Sequence, residues 1–224
     1  MSSRESIAGV VLAAGLSSRF GDGNKLLATV DGQPLVVHAV RTLTGADLDA
    51  VAVVVDPDAE IPEALSPTDV TFVENPDAAA GQATSVRRGV AWARRDHEAV
   101  VFALGDMPRV RPETVDRLVD AWREGAGSAL AAGYDGQRGN PVLFDRQHFD
   151  ALATLSGDTG GRSVFAAAAD SAVVETGDPG VRVDVDTRAD LDDVRDREDE
   201  DDDEHENEHD REDGHDRDGE HEDD

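Results

Sequence analysis

The chain has 224 residues, enough for one sizeable α/β domain and tight for two, and its 38% apolar content can fill one core. It contains no cysteine, which excludes disulfides and thiolate metal ligands and fits a reducing interior. The formal charge of −29 argues against nucleic acid or an anionic membrane as a partner, so a polyanionic ligand would need a local basic pocket.

Ile7 to Ala14 reads as a buried, β-branched first strand, too short and too glycine-interrupted for a membrane span. The stretch Ile7 to Leu27 then breaks into a loop with three glycines, two serines, Arg19 and Lys25. Pro34 to Leu43 has helical periodicity, with Pro34 as its first residue. Ala50 to Val55 is a strand stopped by Asp56-Pro57, a short helix follows over Ala59 to Leu65, and Val70 to Glu74 is a strand stopped by Asn75-Pro76. Gly81 to Arg95 is an amphipathic helix, Ala99 to Leu104 a buried strand, and Pro112 to Glu124 a helix. This alternation predicts right-handed βαβ crossovers and a mainly parallel, doubly wound sheet.

The second half breaks the alternation. Ser128 to Gly133 and Pro141 to Phe144 read as strands flanking the turn-rich Asp135 to Asn140, which predicts an antiparallel pair or an edge insertion. Asp145 to Leu155 and Gly161 to Ala169 are expected as helices, Val173 to Glu175 and Val181 to Val185 as strands. Thr187 with Asp190 resembles a capping box opening a last helix near Ala189 to Arg195. The expectation is therefore one Rossmann-like domain over 1–196 with a small antiparallel insertion, and a disordered acidic tail over 197–224. From Glu198 to Asp224 there are 18 acidic residues and 2 arginines, so that tail carries −16 and the rest of the chain −13. The acidic body points to adaptation to high intracellular salt, and a soluble, cytoplasmic protein is expected. Histidines 205, 209, 215 and 221 in the tail read as part of a solvating segment rather than a metal site.

The glycine-rich loop after the first strand is built for phosphate: backbone donors, close approach and positive charge. It lacks the Gly-Lys-Ser/Thr of a Walker loop and the G-x-G-x-x-G of a dinucleotide fold. Of 21 basic residues 20 are arginine, and the one lysine is Lys25, which suggests a specific task. Arg19 and Lys25 would neutralise a triphosphate. Asp106 ends a buried strand, where open α/β sheets bind ligands and where a carboxylate needs a cation or a partner. Asp186, placed at the end of another predicted strand, would meet Asp106 on one Mg²⁺, with Asp184 on the same face. Helix capping by Asp186 or Thr187 is the alternative.

Leu12-Ala13-Ala14-Gly15, with Ser17-Ser18-Arg19-Phe20-Gly21 and Lys25-Leu26-Leu27, resembles the signature of the MobA-like nucleotidyltransferases, and L-A-A-G is closest to their molybdenum-cofactor cytidylyltransferase branch. Asn75-Pro76 with Gly81 and Ser85 resembles the family's second nucleotide-contact segment. Gly105-Asp106-Met107-Pro108 resembles its metal-binding G-D-M-P, and Gly139-Asn140-Pro141 its substrate-side loop. Asp184-Val185-Asp186-Thr187 with Asp190-Leu191 resembles its late D-x-D-T-x-x-D-L element. The resemblance implies nucleotide binding by Leu12, Ala13, Ala14, Gly15, Arg19, Lys25, Gly81 and Ser85, and acceptor binding by Gly139, Asn140 and Pro141. It implies a metal held by Asp106 and Asp186, with Arg19, Lys25 and Asp106 catalytic. The implied substrates are an NTP, CTP in this branch, and a phosphorylated small molecule or pterin. The implied reaction is cytidylylation of molybdopterin or the molybdenum cofactor, with a molybdoenzyme as the downstream partner. A guanylyl- or sugar-phosphate transferase of the same superfamily, or a non-catalytic cofactor-binding chaperone, are the alternatives.

Overall fold

A computed structural model describes residues 5–15, 20, 23–66 and 68–196. Arg19 and the tail from 197 lie outside the described residues. The strands are β1 (Ile7–Ala13), β2 (Thr29–Val30), β3 (Gln33–Pro34), β4 (Ala50–Val55), β5 (Thr71–Glu74), β6 (Ala99–Leu104), β7 (Ala129–Tyr134), β8 (Gln137–Asp145) and β9 (Ser171–Glu175). The helices are α1 (Leu35–Thr44), α2 (Ile61–Ala64), α3 (Gln82–Ala93), α4 (Pro112–Arg123), α5 (Phe149–Ala153), α6 (Arg162–Ala167) and α7 (188–196). None of these is long and apolar enough to cross a membrane.

Seven strands form one sheet in the order β5-β4-β1-β6-β8-β7-β9, while β2 and β3 make a separate antiparallel pair. The chain builds outward from β1 to β4 and β5, then returns to lay β6 on the other side of β1, parallel to it. A crevice opens at such a reversal, beyond the carboxyl ends of the two central strands. The first residues past those ends are Ala14-Gly15 and Gly105-Asp106.

The period of two along β1 divides the core between the sheet's faces. Ile7, Val11 and Ala13 pack with Val36, Val40 and Leu43 of α1 and Val115, Leu118 and Val119 of α4. Ala8, Val10 and Ala14 pack with Val86 and Val90 of α3, Leu152 of α5 and Val164 of α6. Phe20, Val30, Leu35, Val185, Leu191 and Val194 form a third, smaller cluster, which ties α7 to the β2–β3 hairpin.

Several expectations are corrected by this architecture. Val181 to Val185 is not a strand: residues Pro179–Arg182 make a 3₁₀ turn and 183–186 run irregularly into α7. Its alternation arises because Val181 faces the α1–α4 core and Val185 the third cluster, each in a different environment. The antiparallel element is no edge insertion, since β8 lies inside the sheet, antiparallel to both β6 and β7. Asp135 to Asn140 is not all turn. Asp135 (φ 51°) and Gly136 (φ 69°) make a two-residue hairpin loop and β8 starts at Gln137. Pro34 caps α1 from the β2–β3 pair rather than beginning it.

Candidate active site

Three chain segments converge on the crevice. Lys25 sits on a single 3₁₀ turn (Lys25–Leu27), whose start is fixed by Asn24 Oδ1 accepting from the Leu26 N–H at 3.0 Å. Asp106 follows β6 in a turn where the Gly105 N–H donates to the Leu12 carbonyl, 3.1 Å across the switch point. Asp186 arrives from the far end of the chain, where the Val185 N–H donates to the Asp106 carbonyl at 2.9 Å. The capping question at α7 is resolved by geometry. Thr187 and Asp190 cap reciprocally, Thr187 N–H to Asp190 Oδ2 at 2.7 Å and Asp190 N–H to Thr187 Oγ1 at 3.2 Å. The Thr187 hydroxyl, donating to Asp190 Oδ2 at 2.9 Å, and then the Thr187 N–H hold the Asp190 carboxyl below the usual range. The Asp186 carboxylate therefore takes no part in that cap and is turned to Lys25.

The Lys25 ammonium bridges two carboxylates, Asp106 Oδ2 at 2.6 Å and Asp186 Oδ1 at 2.9 Å. Burial pulls the Lys25 pKa down, but the charges and hydrogen bonds of Asp106 and Asp186 outweigh it, and the net shift is upward. Asp184 sits nearby with its pKa raised, by burial first and then by the like charges of Asp106 and Asp186. Asp106 Oδ1 is buried and has no hydrogen-bond partner among the described residues. A buried carboxylate oxygen without a donor is costly unless a cation completes it. No three His, Cys, Asp or Glu residues cluster as a ready-made metal cage among the described residues. A hard ion can be held by one or two carboxylates, with substrate phosphates and water completing its shell.

These groups line one cleft of about 660 Å³ together with Leu12, Ala14, Gly15, Gly81 and Ser85. Gly81 has φ +107°, and a Cβ there would lie 2.5 Å from Asp158 Oδ1, so only glycine fits. Ser85 is held by a residue behind the cleft: the fully buried Asn75 donates to Thr84 Oγ1 at 2.8 Å and Ser85 Oγ at 3.0 Å. Asn75 thus positions the start of α3 from behind. Replacing it by alanine removes the donor from two buried hydroxyls and should cost about 1–3 kcal/mol in urea unfolding. An unchanged midpoint would show that the hydroxyls find other donors.

Ala13 does not join the cleft; its side chain belongs to the α1–α4 core. Gly139 and Asn140 lie on β8, not on a loop, and line an adjoining cavity of about 290 Å³ that shares Leu12, Gln82, Leu104 and Arg162 with the cleft. Pro141, joined to Asn140 by a cis peptide, faces a small void beside Met107 instead. Asp158, on the loop before α6, lines the cleft, and one contributor to the adjoining cavity escapes the motif pattern: Arg138, the residue preceding Gly139. A cation directly beside the glycine of the acceptor-side motif was the available signal for Arg138.

A family model described as the MobA-like NTP transferase domain matches residues 9–173. The chain is 33% identical to a nicotine blue oxidoreductase of Paenarthrobacter nicotinovorans over 163 residues, 70% of this chain and 79% of that one. It is 33% identical to a molybdenum cofactor guanylyltransferase of Mesorhizobium japonicum over 166 residues, 72% of this chain and 77% of that one. Among solved structures, Rv0371c of Mycobacterium tuberculosis H37Rv matches with a TM-score of 0.73 at 27% identity, covering 87% of this chain and 100% of that chain. A further structure of Rv0371c is a complex with manganese.

Proposed function

The chain belongs to the MobA-like NTP transferase family, and from that premise we propose that it moves CMP from CTP onto the terminal phosphate of molybdopterin or its molybdenum-loaded form. The observation that carries this reading is the pairing of Lys25 with Asp106 and Asp186 past the carboxyl ends of β1 and β6. In this reading an oxygen of the acceptor phosphate forms a bond to the α-phosphorus of the triphosphate. The bond from that phosphorus to the bridging oxygen breaks, and pyrophosphate leaves with the electron pair. The chain's own work is positioning and charge stabilisation. Ala14 and Gly15 let the triphosphate approach the backbone, Lys25 neutralises charge on the leaving phosphates, and Gly81 and Ser85 hold the nucleoside. Asp106 and Asp186 would hold Mg²⁺, which when bound supplies Lewis-acid stabilisation of the phosphoryl oxygens.

CTP is our choice because Leu12 to Gly15 resembles the cytidylyl branch; the 33% identity to a guanylyltransferase makes guanylyl transfer the direct competitor. The equally similar oxidoreductase raises a second reading with a different product. Pyrophosphate release, measured with each NTP, Mg²⁺ and a panel of phosphorylated acceptors including molybdopterin, separates them. We expect release with CTP and molybdopterin. Release with GTP alone would reassign the base, and no release from folded protein under any pairing would overturn nucleotidyl transfer.

A further inference from the structure

The cavity beside the nucleotide cleft has a charge arrangement of its own. Arg138, from β8, and Arg162, from α6, both line it, against an apolar wall that includes Phe102, Val142 and Phe144. Arg138 Nε is buried and has no hydrogen-bond partner among the described residues, and its guanidinium lies over the Phe165 ring at 4.2 Å from the centroid. Among the described residues neither guanidinium makes a salt bridge, although the chain has 50 acidic residues to draw on. Burial, then the charge of Arg162, holds the Arg138 pKa down, so the two cations feel one another. Two guanidinia lining one cavity without a carboxylate, the half-buried one of Arg138 and the exposed one of Arg162, repel one another until an anion arrives. The guanidinium fork matches phosphate oxygens two at a time. The cavity wall is shaped by glycine on both sides. A Cβ on Gly139 would collide with the Val181 carbonyl, and one on Gly161 would press on the Phe144 ring at 3.0 Å.

We infer that Arg138 and Arg162 together form the acceptor's phosphate site, selective for a dianionic phosphate monoester whose apolar or aromatic body lies on the Phe102–Phe144 wall. This deepens the nucleotidyl-transfer reading and rests on it for the word acceptor. Arg162 and Leu12 border both cavities, which sets a phosphate held here next to the triphosphate. Charge selection also favours turnover. Once the monoester has become one half of a pyrophosphate linkage, that phosphorus carries a single negative charge and the arginine pair grips it less.

The test uses phenyl phosphate as the dianionic probe and methyl phenyl phosphate as its monoanionic counterpart. Binding is measured by calorimetry at pH 8 on wild type, R138Q, R138K and R162Q, with folding checked by circular dichroism. Wild type should bind phenyl phosphate at least tenfold more tightly than the diester. R138Q and R162Q should each lose at least tenfold, and R138K, which keeps the charge but not the fork, should fall between. Mg·CTP binding to R138Q should stay within twofold of wild type. Phenyl phosphate binding equally to wild type and folded R138Q, or not at all to a wild type that binds Mg·CTP, would overturn the site. Failure of the transferase reading looks different: the arginine-dependent phosphate binding persists while no NTP releases pyrophosphate.

Discussion

Asp106→Asn should lower the rate of pyrophosphate release by about a thousandfold or more while the protein melts within a few degrees of wild type. The substitution keeps the shape of a side chain that is only partly exposed and leaves Lys25 its second partner, Asp186, at 2.9 Å. The native Asp106 Oδ1 makes no hydrogen bond within the described protein, so folding gains nothing from that oxygen. What is lost is a negative charge at the place where the proposed reaction would gather phosphate and cation, and removing one preorganised electrostatic group of this kind costs about 10²–10³ in rate or more. Thermal denaturation beside a pyrophosphate assay separates the two effects. A variant that keeps a tenth of wild-type turnover would place the reacting centre elsewhere, and one that fails to fold would make Asp106 a structural residue first.

The second large effect belongs to Lys25. Lys25→Met should reduce turnover by about 10²–10³, the range seen when a charge on the transition state goes unmatched. The less obvious prediction is that Lys25→Arg fails to rescue it. The chain has 20 arginines and uses lysine only here. Lysine's compact ammonium reaches two carboxylates at 2.6 and 2.9 Å from one atom, whereas a guanidinium is a broad planar fork. Because the ammonium occupies the space between Asp106 and Asp186, removing it should also tighten Mn²⁺ binding in the absence of nucleotide. Electron paramagnetic resonance of the free ion reads this directly. Near-wild-type turnover in Lys25→Arg would make the identity of this residue an accident of composition.

Much of this arrangement was legible in the chain, and the parts that were not share a cause. β4 and β6 fall at the residues read from the sequence, because continuous β-branched runs closed by Asp56-Pro57 and Gly105 leave few other solutions. Asp106 follows from the end of β6, and Gly81 and Ser85 from the start of α3. The failures come where tertiary pairing overrides local pattern. Residues 181–185 alternate as a strand does, but their valines serve two separate cores. The polar run Gln137 to Asn140 reads as turn, yet pairing of Gln137 with Tyr134 and Arg138 with Gly133 draws it into β8. Asp31-Gly32 and Asp135-Gly136 were the missed signals, since each supplies the two positive φ angles of a tight hairpin. Asp186 lies beside Asp106 for a reason the sequence hides. A backbone hydrogen bond from Val185 to the Asp106 carbonyl, not a strand end, brings it there.

In the proposed reaction Asp106 and Asp186 hold a divalent cation for a triphosphate lying against Gly15, with Lys25 turned from carboxylate to phosphate. A crystal structure with Mn²⁺ and a non-hydrolysable CTP analogue, using the anomalous signal of manganese, tests it most directly. A manganese peak is expected on the Asp106 and Asp186 carboxylates, with the Lys25 ammonium on a phosphate oxygen of the analogue. An analogue bound in the cleft with no manganese at those carboxylates, and Lys25 still bridging them, would contradict it.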